Sequence, residues 1–268
     1  MDLQLNNKTA VITGADSGMG LATAAILLAE GARVVIADQD RGRIDAAAAT
    51  LAGTGATGDV RACVVDVTDL ASVEQLRDEA IAHLGHVDCL VNAAGVTGAT
   101  GVFHEIDDAG WQDTIDVLLM GTVRVVRAFI PHMAARGSGR VVLFASEDSE
   151  QPYADEIPYC AAKAGIRALT KGLSKTYAKQ GVLINSVGPA FIATPMTDAM
   201  MAKRAKENGT DVDEAIASFL KEERPTLELQ RRGRAEEVAA VVAFLCSGQA
   251  SFVNGANYRV DGGSVATL

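Results

Sequence analysis

Thr13-Gly14-Ala15-Asp16-Ser17-Gly18-Met19-Gly20 lies between an apolar run, Ala10–Ile12, and an alanine-rich apolar run, Leu21–Ala29. The first run is typical of a strand, and the second is typical of a helix that ends near Gly31. Glycines allow the backbone to turn tightly between them and to approach a ligand closely. The free amides and the dipole of the helix N-terminus would then favour an anion. The segment predicts a pyrophosphate-binding turn, whereas a lone glycine motif would more often be a turn without a ligand.

Asp38 follows the next apolar run, Arg33–Ala37, and lies eighteen residues after Gly20. This spacing suits an acid that accepts hydrogen bonds from the ribose of adenosine. A carboxylate there would repel a ribose phosphate, so the sequence favours NAD over NADP. Arg41 and Arg43 argue weakly the other way, because a flexible arginine could reach a phosphate. We interpret both arginines as the solvated start of a helix.

The composition of the chain limits its partners and its location. The chain has 268 residues, of which 49% are hydrophobic, and residues 1–268 are predicted to form one α/β domain. Its net charge of −10 disfavours nucleic acids and anionic membranes as partners. We expect no bilayer-spanning stretch and no signal peptide, hence a cytoplasmic protein. The four cysteines and four histidines show no metal-ligand spacing, so no metal site is predicted.

Apolar runs typical of strands alternate with segments of helical periodicity along the chain. The predicted strands are Thr9–Thr13, Arg33–Asp38, Val60–Val65, Cys89–Asn92, Arg140–Ala145, Leu183–Val187 and Asn257–Val260. The predicted helices cover 18–29, 41–52, 69–84, 111–135, 159–179 and 235–246. This alternation predicts a single doubly wound (Rossmann-type) α/β domain, with a parallel sheet of about seven strands and helices on both faces. Ligands of such sheets bind beyond the carboxyl ends of the strands.

Segment 195–225 departs from this alternation. It is helical in composition and rich in charge, contains Met196, Met200 and Met201, and is long for a connection within an α/β sheet. Long insertions at the ligand end of a sheet often form lids. We therefore predict a substrate lid at 195–225. The alternative is an ordinary helical excursion whose methionines fill the core.

Tyr159 and Lys163 are four residues apart on a predicted helix and therefore share one face. A cation beside a tyrosine lowers the pKa of its hydroxyl, which would suit it to proton transfer near neutral pH. The same ammonium could donate to ribose hydroxyls. Such a pair alone usually means a solvated helix face, but Ser146 follows the strand Arg140–Ala145, thirteen residues before Tyr159. Its hydroxyl could hydrogen-bond a carbonyl oxygen as a hydride arrives, which makes Ser146, Tyr159 and Lys163 catalytic candidates.

These motifs together resemble the short-chain dehydrogenase/reductase family, and the resemblance covers the whole chain. It also rests on Asp66-Val67, Asn92-Ala93-Ala94-Gly95, Asn185-Ser186-Val187-Gly188-Pro189 and Asp261-Gly262-Gly263. The resemblance implies that Asp66 and Val67 contact adenine, that Asn92 steadies the central strands beside the cofactor, and that Ile192 and Thr194 hold the nicotinamide carboxamide. The complete set of expected cofactor-binding residues is Gly14, Asp16, Ser17, Gly18, Met19, Gly20, Asp38, Asp66, Val67, Asn92, Ala93, Gly95, Tyr159, Lys163, Pro189, Ile192 and Thr194.

The chain departs from the family pattern at two positions. Leu118 stands where the family usually has an asparagine that helps to hold a water leading to the catalytic lysine. A backbone carbonyl could still hold such a water, and we expect activity to survive. Ala190 replaces the glycine that usually follows Pro189. Alanine fits there if its φ is negative.

The resemblance implies NAD-linked interconversion of a secondary alcohol and a ketone by a Ser-Tyr-Lys site, with a small-molecule substrate. It also implies a homotetramer assembled through helices 111–135 and 159–179. Two alternatives stay open: an NADP-dependent 3-ketoacyl-type reductase, and a non-catalytic NAD(H)-binding regulator, for which Leu118 is the only support. The acidic stretch from Glu147 to Glu156 disfavours docking of an acidic carrier protein. We interpret most of this stretch as a solvated loop, with Glu147 as the residue to watch.

Overall fold

The computed structural model describes residues 2–56 and 58–267. Its strands are β1 (Thr9–Thr13), β2 (Arg33–Asp38), β3 (Val60–Val64), β4 (Cys89–Asn92), β5 (Gly139–Phe144), β6 (Val182–Pro189), β7 (Ile192–Ala193), β8 (Gly233–Arg234) and β9 (Asn257–Val260). Seven of them form one parallel sheet in the order β3-β2-β1-β4-β5-β6-β9, and β7 pairs with β8. The predicted doubly wound sheet is confirmed. Its order reverses between β1 and β4, which is where sheets of this type bind ligands.

The helices are α1 (Gly18–Ala29), α2 (Arg41–Ala52), α3 (Leu70–Leu84), α4 (Asp108–Ile115), α5 (Gly121–Ala135), α6 (Ile157–Tyr177), α7 (Pro195–Asn208), α8 (Val212–Glu222) and α9 (Ala235–Cys246). A π-helical turn, Asp116–Met120, joins α4 to α5. The helix predicted at 111–135 is therefore one longer helix with a local change of winding. Such π-helical turns are often found near functional sites.

The two faces of the sheet are covered by different helices, and β2 shows why its sequence is apolar throughout. Val34 and Ile36 pack into a cluster with side chains of α1, α2 and α9. Val35 and Ala37 point to the opposite face and join a cluster with side chains of α3, α5 and α6. Successive strand residues point to opposite faces, so both sets of positions must be apolar when both faces are buried.

The helix from Asp108 to Ala135 is long and apolar enough, by length and composition, to cross a membrane. This corrects the expectation that no stretch of the chain meets that criterion. In the structure the helix lies against the sheet, where Val125, Phe129 and Met133 are fully buried. Packing into the core therefore accounts for its apolar composition.

Segment 195–225 folds into α7 and α8, which pack on each other over a small third cluster. The buried side chains of this cluster are Phe191, Met201, Phe219, Leu220 and Leu227. Met201 is fully buried, whereas Met196 is 44% exposed. Met201 therefore fills the core, as the alternative interpretation has it. The role of the whole segment as a lid stays a prediction.

Candidate active site

The glycine turn between β1 and α1 has a left-handed backbone that other residues adopt rarely. Gly14 and Gly18 have φ values of 68° and 55°. A Cβ on Gly14 would lie 2.4 Å from the backbone nitrogen of Ala94, and one on Gly20 would lie 2.1 Å from the carbonyl oxygen of Gly14. The glycines therefore allow β1, α1 and the chain after β4 to meet closely at the switch point of the sheet.

The first turn of α1 lines a cleft of about 210 Å³ at this switch point. In the described part of the chain, Ser17 occupies the N-cap position without making a capping hydrogen bond, and its Oγ instead donates to Asp16 Oδ1 at 2.8 Å. By contrast, the side chain of Asp40 accepts a hydrogen bond from the first turn of α2, and that of Asp69 accepts one from the first turn of α3. The amides and the dipole of α1 are therefore available to an anionic group bound in the cleft.

Most of the cofactor residues expected from the sequence line this cleft. They are Gly14, Asp16, Ser17, Gly18, Met19, Gly20, Asp38, Asp66, Val67, Ala93, Gly95 and Thr194. Residues that the sequence analysis did not assign to the cofactor also line it: Gln39, Val65, Thr68, Ala94, Val96, Val117, Pro195 and Met196. Most of these are neighbours of expected residues at the carboxyl ends of β2, β3 and β4, so strand position alone would have found them.

Five of the expected cofactor residues are not part of this lining. Tyr159 and Lys163 belong to the catalytic site described below, and the other three, Asn92, Pro189 and Ile192, are buried in the protein. Asn92 is buried; its Oδ1 accepts from Thr13 Oγ1 at 2.7 Å and its Nδ2 donates to Thr122 Oγ1 at 2.9 Å. It therefore joins β1, β4 and α5. Ile192 is buried in the core, and Pro189 presents its carbonyl oxygen to Ser146 Oγ at 3.5 Å. In the protein alone, these three residues pack in the interior and support the site from there.

Asp38 lines the end of the cleft beyond β2, where burial raises the pKa of its carboxyl and the nearby Asp16 raises it further. The Gln39 amide donates to Asp38 Oδ1 at 2.7 Å and acts in the opposite direction. Arg43 pairs with Asp16, with 2.6 Å between Nη2 and Oδ2, and Arg41 pairs with Asp45. The Arg43 side chain is solvated, as expected, but its charge is already matched by a carboxylate.

A second cavity, of about 140 Å³, contains the candidate catalytic residues. Ser146 and Tyr159 both line it, and Met196 lines both this cavity and the cleft. Ser146 follows β5, and Tyr159 lies in the first turn of α6, so the sheet edge and one helix bring them together. The remaining lining residues are Thr97, Thr100, Glu147, Asp148, Glu156, Ala190, Phe191, Thr197, Met200 and Arg224.

Lys163 lies one turn after Tyr159 on α6 and is buried behind it. Its Nζ is 5.4 Å from the centroid of the Tyr159 ring and donates to the carbonyl oxygen of Phe144 at 2.7 Å. Burial lowers the pKa of Lys163 to about 8, and the charge of Asp148 acts against this. The ammonium is therefore held close to the phenol by the last residue of β5.

The expected lowering of the Tyr159 pKa is wrong for the protein's own groups. Burial raises the pKa of its hydroxyl, and the carboxylates of Asp148 and Glu156 raise it further, whereas the Ser146 hydroxyl lowers it. The Lys163 ammonium does not offset the loss of water around the phenol.

The loop after Ser146 is more buried than a solvated loop. Glu147 and Asp148 are 2% and 5% exposed, which corrects the solvated-loop interpretation for Asp148 and agrees with the separate treatment of Glu147, whereas Asp155 is exposed. Ser146 Oγ donates to Asp148 Oδ1 at 2.9 Å. Burial raises the pKa of Glu147 to about 7, and the neighbouring charge of Asp148 adds to this effect.

Arg224 lines this cavity although nothing in the sequence pattern singled it out. It follows α8 and brings a guanidinium into the cavity, 3.4 Å from the centroid of the Tyr153 ring. Its Nε lies 3.4 Å from Glu147 Oε1, and its Nη2 lies 3.6 Å from Glu156 Oε1. Segment 195–225 is thereby joined to the loop after Ser146.

The two departures from the family pattern have clear positions. Leu118 lies in the π-helical turn, 1% exposed, and its carbonyl accepts from Thr122 Oγ1 at 2.7 Å. A Cβ on Gly95 would lie 3.3 Å from Leu118 Cδ2 and 4.0 Å from Lys163 Nζ, so the leucine lies close to the ammonium. Ala190 has no positive φ, so alanine is accommodated there.

The comparisons with known proteins agree with this geometry. The family model described as short chain dehydrogenase matches residues 8–205. The chain is 39% identical, over 97% of each sequence, to a cis-4-hydroxycyclohexanecarboxylate dehydrogenase of Sinomonas cyclohexanicum. It is 38% identical to a meso-2,3-butanediol dehydrogenase of Serratia marcescens, over 99% of this chain and 97% of the other.

A solved L-sorbose reductase of Gluconobacter frateurii, complexed with NADPH and L-sorbose, has a similar structure. The TM-score is 0.93 at 34% identity, and the match covers the full length of both chains. The sheet order, the glycine turn and the sequence matches lead to one assignment. The chain belongs to the short-chain dehydrogenase family and is an oxidoreductase.

Proposed function

We propose that this protein is an NAD-dependent dehydrogenase that interconverts a secondary alcohol and a ketone. The observation that carries the proposal is that Ser146 and Tyr159 line one cavity, which shares Met196 with the dinucleotide cleft. Lys163 supports the phenol from behind. Residues 1–268 act as one catalytic domain in this proposal, with 195–225 as the wall and lid of the substrate cavity.

The residues present fit a nicotinamide dinucleotide. The uncapped first turn of α1 suits the pyrophosphate, and the carboxylate of Asp38 suits the adenosine ribose. Ser17, Gly18 and Met19 would supply amides to the phosphates. Thr194, at the start of α7, lines the cleft on the side that leads to the cavity of Ser146 and Tyr159.

In the oxidation direction, Tyr159 accepts the proton of the substrate hydroxyl and Ser146 holds the reacting oxygen. Lys163 stabilises the Tyr159 phenolate that takes up this proton, and the carbonyl of Phe144 holds the ammonium in place. A nicotinamide, when bound, would supply the hydride acceptor, and its oxidised form would add a positive charge that favours the phenolate. The alcohol thus loses one hydride and one proton to become a ketone, and reduction reverses each transfer.

NADP use by this chain is the second candidate, because the solved L-sorbose reductase holds NADPH. Asp38 and the pairing of Arg43 with Asp16 support NAD instead. The relatives are also named for different substrates. The substrate in one name is a cyclic alcohol that bears a carboxylate, and the substrate in another is a vicinal diol. We further propose that the protein is a cytoplasmic homotetramer. The family resemblance implies assembly through α5 and α6. Light scattering of the purified protein would test the mass of the assembly.

Two measurements test the proposal together. Fluorescence titration with NADH and NADPH gives both affinities, and absorbance of the reduced cofactor follows turnover of a panel of secondary alcohols and ketones. We expect tighter binding of NADH and turnover with NAD. Tighter NADPH binding would favour the NADP-dependent reductase. Cofactor binding without turnover of any panel member would favour the non-catalytic regulator.

A further inference from the structure

We infer that Tyr159 exchanges its proton with the solvent through a relay of three side chains. They are, in order, Ser146, Asp148 and Glu156, and all of them line the cavity that contains Tyr159. The inference rests on the proposed function and adds the route by which the proton enters and leaves the site. In this relay Asp148 and Glu156 act through Ser146 and do not touch the reacting carbon.

The lysine side of the phenol offers no comparable route. In residues 2–56 and 58–267, Lys163 Nζ donates only to the carbonyl oxygen of Phe144, and the side chain is 5% exposed. Leu118 is 1% exposed, lies close to this ammonium and has no polar atom in its side chain. No second side chain is therefore in place to take a proton from the lysine.

Ser146 joins the phenol to the first carboxylate of the relay. Its hydroxyl is near enough to Tyr159 to lower the pKa of the phenol. Its Oγ donates to Asp148 Oδ1 at 2.9 Å and accepts from the Asp148 amide at 3.3 Å. A hydroxyl has two lone pairs, so the second one is available to the Tyr159 O–H. Ser146 can therefore take the proton of Tyr159 while its own proton passes to Asp148.

Glu156 connects the relay to the solvent. Asp148 is 5% exposed, whereas the Glu156 side chain is 24% exposed. The two carboxyl groups are in contact, because Asp148 raises the pKa of Glu156 both by its charge and as a hydrogen-bond partner. Neighbouring carboxyls share a proton, since ionising both costs repulsion. Glu147, the other acid of the cavity, is 2% exposed and gives no exit.

The groups around Glu156 suit it to both take up and release a proton at neutral pH. Burial raises its pKa to about 7, and the charges of Asp148 and Asp155 act in the same direction. Arg224, whose Nη2 lies 3.6 Å from Glu156 Oε1, lowers the pKa and holds the carboxylate beside the cavity. A group that transfers protons is most effective when its pKa lies near the working pH.

The relay moves one proton and transfers no electrons. The Tyr159 O–H bond breaks as an O–H bond forms on Ser146, and the earlier proton of Ser146 binds Asp148 Oδ1. Asp148 then passes a proton to Glu156, which releases one to water, and ketone reduction runs each step backwards. While Ser146 donates to the substrate oxygen, its contact with Asp148 is broken. The relay is therefore complete before the substrate binds and after the product leaves.

Proton release on cofactor binding tests the relay without turnover. The wild-type protein is mixed with NAD in weak buffer that contains a pH indicator, and quenching of the protein fluorescence follows binding. The charge of the oxidised nicotinamide favours the phenolate, so we expect a proton to appear as fast as NAD binds. NADH is the matched ligand, since its nicotinamide is neutral, and it should release no such proton.

Glu156→Gln keeps the shape of the side chain but cannot carry a proton. We expect its proton release to be slower than NAD binding by about tenfold or more, and added imidazole, a small proton carrier, to restore it. In weak buffer, kcat for alcohol oxidation should fall and recover with imidazole in the same way, with little change in KM. Asp155→Asn removes the exposed neighbouring acid and should behave as the wild type.

A second variant covers the case in which Glu156→Gln does not fold, as judged from its melting temperature. Asp148→Asn removes the preceding carrier of the relay, so it should delay proton release and respond to imidazole in the same way. A delay that imidazole does not shorten would show a structural role and contradict the relay.

The same measurements separate this inference from the proposed function. If no alcohol is turned over but Glu156→Gln delays proton release, the proposed function fails and the inference stands. If alcohols are turned over and proton release is absent in the wild type, or equally fast in Glu156→Gln, the inference fails and the proposed function stands.

Discussion

The Ser146 hydroxyl and Asp148 bind each other in both directions. Ser146 Oγ donates to Asp148 Oδ1 at 2.9 Å and accepts from the Asp148 amide at 3.3 Å. A hydroxyl has one proton, so Ser146 must give up the carboxylate before it can donate to a ketone oxygen. The single proton of a substrate alcohol is needed by Tyr159 in the proposed mechanism, so Ser146 holds the reacting oxygen by donating to it once the contact with Asp148 Oδ1 is broken.

Asp148→Asn should shift the pH dependence of alcohol oxidation. The Asp148 charge raises the pKa of Tyr159 and also that of Lys163, so its removal lowers both. The acid limb of the kcat/KM profile should then move to lower pH, by about one unit. Asp155→Asn, which changes an exposed acid of the same loop, should leave the profile in place. A shift to higher pH would show that Asp148 acts on the phenol by another route.

Tyr159→Phe should abolish most turnover and leave cofactor affinity nearly unchanged. The change removes only the hydroxyl, and loss of a general acid–base group costs about 10²-fold or more in rate. Tyr177→Phe makes the same chemical change at the other end of α6, away from the cavity, and should keep full activity. Substantial activity in Tyr159→Phe would assign the proton transfer to another group.

Asp38→Ala should weaken NAD binding and reduce the discrimination against NADP. One charged hydrogen bond contributes roughly 1.5–3 kcal/mol, which is about tenfold or more in affinity. Asp45→Asn removes a carboxylate that pairs with Arg41 on α2, and should change neither dissociation constant much. If wild-type NADP binding is as tight as NAD binding, Arg43 reaches the phosphate despite its contact with Asp16.

Glu147→Gln should change how stability depends on pH. Burial raises the folded-state pKa of Glu147 from 4.5 to about 7, so its stabilising contribution is complete below about 4.5 and is lost as the pH rises through 7. Glutamine does not titrate, so the variant should gain stability relative to the wild type between pH 5 and pH 8. The gain should reach at most about 3 kcal/mol in urea unfolding. A relative loss over that interval would mean that the ion pair with Arg224 outweighs burial.

Leu118→Asn tests whether the family asparagine is needed. Leu118 is buried near Lys163, whose Nζ already donates to a backbone carbonyl, that of Phe144. We expect the wild type to be active and the variant to stay within a few fold. The variant should lose roughly 1–3 kcal/mol of stability, because an amide would be buried without partners. An inactive wild type that Leu118→Asn activates would replace the dehydrogenase with the regulator.

The elements of the sheet were predictable because their signals are local. Six of the seven predicted strands agree with the structure within one residue at each end, and β6 extends further, to Pro189. The π-helical turn at Asp116–Met120 was not predicted, because the apolar pattern does not distinguish a single wider turn within a long helix. The glycine turn and Asp38 were predictable for the same local reason, since they follow strands that the pattern located, whereas Asp66, Val67 and Thr194 were expected from the family resemblance.

The sequence by itself determined the glycine turn, the alternation of strands and helices, and the spacing of Tyr159 and Lys163. These properties depend on backbone conformation and periodicity within a few residues. Only the tertiary structure decided that Glu147 and Asp148 are buried and that Arg224, from the other side of the cavity, neutralises part of their charge. It also decided the direction of the Tyr159 pKa, because desolvation and the charges around a group depend on packing between segments far apart in the chain.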